Sequence, residues 1–149
     1  MELLHYEDFP EGAEFALGPY FVSPEEVRGF LLDFDPQPFH LDEETANNSV
    51  LGGMASSGWH SCAMLMRMIC DAYLNRSAGM GSPGIDEVRW VRPVYVGETL
   101  SGHMRVLSRR VSSKRPDLGI LTCQWDLSNA AGERKLAVRG INFMKVRNP

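Results

Sequence analysis

An aspartate and a histidine five positions apart, Asp35 and His40, stand on a short stretch reading DPQPFH, in which Pro36 and Pro38 flank Gln37. Each proline locks its own φ, so the path between the two side chains is stiff. A carboxylate and an imidazole held close together can position a water and carry its proton in either direction. A turn-capping aspartate beside an ordinary loop histidine has the same spacing, and both readings stand at this point.

The next candidates follow a glycine-rich turn, LGGMASSG, where Gly58 opens a long apolar run. The amino terminus of a helix leaves N–H groups unpaired and carries a partial positive charge. With no side chain at Gly58, a ligand oxygen can approach those donors, which makes an oxyanion site. The plainer alternative is a glycine required by the turn and by close packing. Ser56 and Ser57 are the capping candidates. His60, one turn further on, reads as a buried histidine. Met64, Met66 and Met68 suit either plain core filling or an adaptable apolar pocket. Arg67 and Asp71, four apart, are placed to pair on a helix surface. Arg89, Arg92, Arg105, Arg109, Arg110, Lys114 and Arg115 are cations for phosphate contacts or a solvated strand face. No G-x-S-x-G, nucleotide-binding glycine loop or zinc-ligand spacing is present.

These residues need elements to hold them. Positions 59–74 carry charge only at Arg67 and Asp71 apart from His60, with no glycine or proline, so a helix is expected there. It is apolar almost all round and therefore predicted to be buried on most of its surface. About 16 residues at 1.5 Å each give roughly 24 Å, short of a bilayer crossing. A first strand is expected over 14–22, interrupted by Gly18-Pro19. Ser23, Pro24 and Glu26 then start a helix with a capping box, and Pro36 stops it. A short helix capped by Asp42 follows, ended by Asn47, Asn48 and Ser49. Residues 75–84 read as a loop. Beyond Ile85 the pattern is strands: around Val88 and Trp90, over 100–111, over 120–127 with strict alternation, and over 136–146 after a turn at 129–132. Short connections predict an antiparallel meander, and the element order is α+β.

Composition narrows the class. The chain has 149 residues, 44% hydrophobic and 23% charged, which suits one globular domain spanning 1–149. A net charge of -4 argues against nucleic acid as the main partner. The amino terminus shows no basic region followed by an apolar run, and the three cysteines have no metal spacing. Free thiols in a reducing compartment, the cytoplasm, are expected.

FDPQPFHLDEETA, followed by the glycine-rich turn and SGWH, resembles the MaoC-like dehydratases, which include the (R)-specific enoyl-CoA hydratases. VRWVRPVYVGETL is similar to that family's strand and turn after its central helix, and GILTCQWDLSNAAGE to its closing hairpin. The specific part is D-x-x-P-x-H, met by Asp35, Pro38 and His40. Gln37 stands where the family more often has asparagine, and Ser57-Gly58 replaces its histidine-glycine. The resemblance implies a hot-dog fold, an antiparallel sheet wrapped around a long central helix, and a homodimer or higher homo-oligomer. It implies that Asp35 and His40 handle a water added to, or lost from, a 2-enoyl or 3-hydroxyacyl thioester. Gly58 N–H would bind the thioester carbonyl, with Gln37, Ser57, Trp59 and Arg92 contacting substrate. Coenzyme A enters as part of that acyl-CoA substrate, with no separate cofactor, metal, nucleic-acid or membrane partner. Two alternatives remain on the same fold: a thioesterase and a non-catalytic acyl-CoA-binding subunit.

Overall fold

A computed structural model describes residues 2–149. Strand β1 (Glu14–Phe21) leads into helix α1 (Pro24–Phe34), the one-turn helix α2 (Pro38–Leu41) and the short helix α3 (Glu43–Asn47). The long helix α4 (Gly58–Ala72) follows, then β2 (Gly79–Gly81), β3 (Ile85–Trp90), β4 (Thr99–Val111), β5 (Leu118–Ser128) and β6 (Arg134–Lys145).

One six-stranded sheet runs β1-β4-β5-β6-β2, with β3 also on β6, and every pair is antiparallel. The expected meander is therefore β4-β5-β6, and β1 closes onto β4. The interruption expected at Gly18-Pro19 is a register shift between Leu17 and Tyr20. Strand β2 was expected as loop; it is made of glycine and methionine, which gives no alternation to read. The β5–β6 turn is held by Asn129, whose side-chain oxygen accepts from the N–H of Ala131 (3.1 Å) and Glu133 (2.9 Å).

The core lies between α4 and the sheet. Met64, Leu65, Met68 and Ile69 of α4 pack with Leu100, Met104, Leu121, Trp125, Leu127 and Leu136 of the strands. Each such side chain taken out of water contributes roughly 1.5–3 kcal/mol, which fixes α4 against the sheet. Its opposite face is not covered: Trp59 is 65% exposed and Met66 48%. The helix is thus two-faced rather than buried nearly all round, because the sheet of this chain packs against one face. No helix of the described residues is long and apolar enough to cross a membrane.

Helix starts follow the sequence. Ser23 Oγ accepts from the N–H of Glu26 at 3.4 Å. The capping box is only half formed, since the Glu26 carboxylate takes the Tyr20 hydroxyl instead (2.6 Å). Asp42 caps α3 through Thr45 N–H at 2.7 Å. Pro38 opens α2, a turn of helix where irregular chain was expected, because proline's fixed φ is already helical at a first position. That turn carries His40.

Candidate active site

The stop at Pro36 and restart at Pro38 turn the chain so that Asp35, the residue closing α1, faces His40 on α2. His40 is 6% exposed. Its Nδ1 lies 3.0 Å from the carbonyl oxygen of Ala55, an atom that can only accept, so Nδ1 carries the proton. Nε2, the other ring nitrogen, faces Asp35 Oδ2 at 3.4 Å. Asp35 is oriented in turn: Gln37 Nε2 donates to Oδ1 at 2.6 Å. Burial pushes the Asp35 carboxyl up, but hydrogen bonds from Gln37 and Ser57, together with the charge His40 carries when protonated, outweigh it and hold it below the usual value. The arrangement is a carboxylate beside an imidazole with one free nitrogen.

Both groups border a cavity of about 350 Å³, whose other walls include Ser57, Gly58, Trp90 and Arg92. Ser57 caps α4 by accepting from Trp59 N–H at 3.3 Å, which leaves Gly58 at the first helical position. A Cβ on Gly58 would sit 2.6 Å from Nε1 of Trp90, so only glycine fits beneath that indole. Trp90 Nε1 donates to the Gly58 carbonyl at 2.8 Å, and the Trp59 ring meets it edge-on.

Across the cavity, residues 91–98 are held by a buried cation. Lys135, 3% exposed, donates from Nζ to the Pro93 carbonyl at 2.9 Å and pairs with Glu98 at 3.0 Å. Burial raises the Glu98 carboxyl, but Asn129, the Tyr95 N–H and Lys135 together keep it below its usual value. This braced loop grips the chain before α4: Ser56 N–H donates to Val94 O (2.7 Å) and Val96 N–H to Met54 O (3.2 Å). The Ala55 carbonyl that holds His40 is fixed between those two bonds. Neither Ala55 nor Lys135 was legible in the sequence, since a carbonyl has no residue type and a lysine at a strand start reads as surface.

The expected site residues divide clearly. Asp35, His40, Ser57, Gly58, Trp59 and Arg92 all border the cavity, whereas Gln37 acts on Asp35 instead. Of the basic residues only Arg92 comes to the cavity, and it pairs with Glu133 at 2.5 Å. Arg89 pairs with Glu87, Arg105 with Glu14 and Arg115 with Asp117, while Arg109 lies over the Tyr6 ring. Arg67 and Asp71 pair on the surface at 3.0 Å. His60 is buried as expected, stacked on Phe30 with ring centres 4.5 Å apart, and its Nδ1 has no partner. Burial lowers its pKa, against the pull of Glu26.

Trp59 also borders a second, larger cavity of about 750 Å³ along the flank of α4. Leu65, Met66 and Ile69 form its helix side, and Val138 and Trp125 its sheet side. Of the three methionines, Met66 is the one that lines it, while Met64 and Met68 are core.

Residues 10–120 match the sequence profile of the MaoC like domain. The chain is 36% identical to a MaoC-like dehydratase from Rhodospirillum rubrum whose crystal structure superposes with a TM-score of 0.87, over 98% of this chain and 99% of that one. An uncharacterized protein of Bacillus subtilis, YdeM, is 29% identical over 115 residues, covering 73% of this chain and 80% of that protein. R-hydratase PhaJ1 from Pseudomonas aeruginosa shares the hot-dog fold with a TM-score of 0.74 over 99% of this chain and 92% of that one, at 18% identity.

Proposed function

Because this chain belongs to the MaoC-like domain family, we propose that it is a hydro-lyase adding water to, or removing it from, a 2-enoyl/3-hydroxyacyl thioester, with coenzyme A as the carrier. The observation that carries this reading is the bond from His40 Nδ1 to the Ala55 carbonyl, which leaves Nε2 as the ring nitrogen that faces the Asp35 carboxylate at the cavity wall and can exchange a proton. A free ring nitrogen and a carboxylate on one small volume are what a positioned water requires.

In the hydration direction the water oxygen forms a bond to C3 while one of its protons passes to the Asp35/His40 pair. The electrons of the C2=C3 bond shift toward the thioester oxygen, giving enolate character. Gly58 N–H, at the positive end of α4, stabilises that charge. A proton from the pair then reaches C2, the double bond of the enolate returns to a carbonyl, and the pair ends as it began. All of these steps use the chain's own groups, and coenzyme A takes part only as a portion of the substrate. Ser57 acts through Asp35 and through the α4 cap.

The acyl chain lies in the larger cavity on this reading, with Trp59 at the junction of the two. Arg92 is the phosphate-side cation, exchanging Glu133 for the carrier. The outer edge of β3 and the exposed Trp59, Met66, Ile85 and Trp90 suit burial against a second copy, as open edges are normally covered. A homodimer in the cytoplasm is the assembly proposed.

Incubation with crotonyl-CoA tests the reading. Loss of the enoyl absorbance, by a species that light scattering shows to be a dimer or larger, is the expected result. Release of free thiol with the double bond intact would replace the hydratase with a thioesterase. Binding without turnover would make the chain a non-catalytic acyl-CoA-binding subunit.

A further inference from the structure

The larger cavity is lined mostly by apolar side chains; Asp86 and Glu87 stand on its β3 wall, Ser77 and Ser82 spend their hydroxyl protons on backbone carbonyls, and one further polar group, an amide, is not used by the proposed acid–base chemistry. Asn142 of β6 borders it, beside Trp125 and Ile69. Behind Asn142 stands a buried relay: Trp125 Nε1 lies 3.0 Å from the Tyr73 hydroxyl, and that hydroxyl lies 3.0 Å from Asn142 Oδ1. Tyr73 is 0% exposed, so no solvent competes for its bonds. An indole nitrogen can only donate. The Tyr73 oxygen is therefore the acceptor from Trp125, and its own proton goes to Asn142. The direction of the relay fixes the amide: Oδ1 is taken by Tyr73, so Nδ2 is the group that Asn142 has left to offer an occupant of the cavity it borders.

Nδ2 has two protons. Among the described residues its one partner is the carbonyl of the preceding residue, Ile141, at 3.3 Å, which leaves a donor for an occupant of the cavity. A purely aliphatic chain would expel water from that N–H and give nothing in return, and an unsatisfied buried donor is costly. An occupant with an oxygen there would satisfy it. That oxygen is neutral: the lining includes Asp86 and Glu87 and no Lys, Arg or His. The nearby cations Arg89 and Arg139 are already held on Glu87. A carboxylate would be buried without a counter-charge.

We infer that Asn142 is a specificity residue that selects acyl groups bearing a neutral oxygen, a ketone or hydroxyl, on their distal part, with Tyr73 and Trp125 fixing the direction of its amide. This rests on the acyl thioester reading above. The relay reaches the far end of the cavity, since Tyr73 closes α4. Eleven residues separate Gly58 from Ile69, roughly 16 Å along the helix, so the oxygen belongs well beyond C3.

The test uses matched pairs of coenzyme A thioesters of equal chain length, one with a ketone or hydroxyl near its end and one without. Saturated pairs are titrated by calorimetry, and the corresponding 2-enoyl pairs are assayed for hydration. Wild-type protein is expected to bind the oxygenated member roughly three- to tenfold more tightly, the size of one neutral hydrogen bond. Asn142→Leu, which keeps the volume and removes the donor, should abolish that ratio, and Tyr73→Phe, which frees the amide to turn, should reduce it. Equal binding of both members by wild type, or a ratio unchanged in both variants, overturns the inference. Because binding is read apart from turnover, an intact ratio without hydration would sink the hydratase reading and leave Asn142 in its role. The wild-type ratio decides the matter even where a variant does not fold.

Discussion

The two cavities share Trp59 and the same helix, yet they are built in opposite ways. The smaller one, at the amino end of α4, draws most of its polar groups from residues 35–61, and a braced loop at 91–98, which adds Arg92, closes it. Its groups are fixed by hydrogen bonds to one another and to backbone: Gln37 to Asp35, His40 to Ala55, Ser57 to α4. The larger one runs along the flank of α4 and takes walls from β2, β3, β5 and β6, with an oriented amide and the carboxylates of Asp86 and Glu87 in a mostly apolar lining. On the proposed reading the first moves protons and the second accommodates an acyl chain. One helix serves both because its amino end offers unpaired N–H groups while its side offers an apolar stripe.

The largest effect should come from the polar cavity. Asp35→Asn and His40→Gln should each lower the kcat for hydration by at least ~10²-fold, with the double variant losing far less than the product of the two. Their melting temperatures should barely move, since the pair borders an open cavity. Near-normal hydration in a protein that unfolds early would make the pair structural and erase the contrast between the cavities.

A smaller effect is expected at the junction. Gly58→Ala would place a methyl group 2.6 Å from Trp90 Nε1, an overlap that displaces the indole. Overpacking of this kind costs roughly 1–3 kcal/mol, read by chemical denaturation. In a Trp90→Leu background the same substitution should cost much less, because contacting residues are not additive. Equal costs in both backgrounds would show that Trp90 does not set the need for glycine.

The smallest effect belongs to His60 of α4, stacked on Phe30 of α1. Burial holds its pKa below the ordinary 6.5. Between that depressed value and 6.5 the unfolded chain binds a proton that the folded chain does not, so stability rises with pH. Acidification below 6.5 should therefore weaken the fold, and His60→Leu should flatten that slope. A slope unchanged in the variant would assign the acid sensitivity elsewhere.

Much of this was readable from residue types. Ser23, Asp42, Pro24 and Pro36 marked where helices begin and stop, because caps and prolines act on their immediate neighbours. The alternation in 120–127 marked β5, because a strand between core and solvent has period two. Asp35, His40 and Gly58, which border one cavity, could be singled out because they are close in sequence and two prolines shape the chain between the first two. What did not show is what depends on distant chain. Strand β2 exists only because β6 offers it a ladder, and its glycines carry no pattern. Arg89, Arg109 and Arg115 were indistinguishable from Arg92 until the strands placed each of them.

The sequence by itself therefore determined the local starts and stops, the acid–base pair and the apolar helix behind it, since each rests on contacts within a few residues. Only the tertiary structure decided which face of α4 stays open, which carbonyl holds His40 and how Asn142 turns its amide. Those are settled by groups 15 and 69 residues away, Ala55 to His40 and Asn142 to Tyr73, and a hydrogen bond between distant residues leaves no trace in either one's neighbourhood.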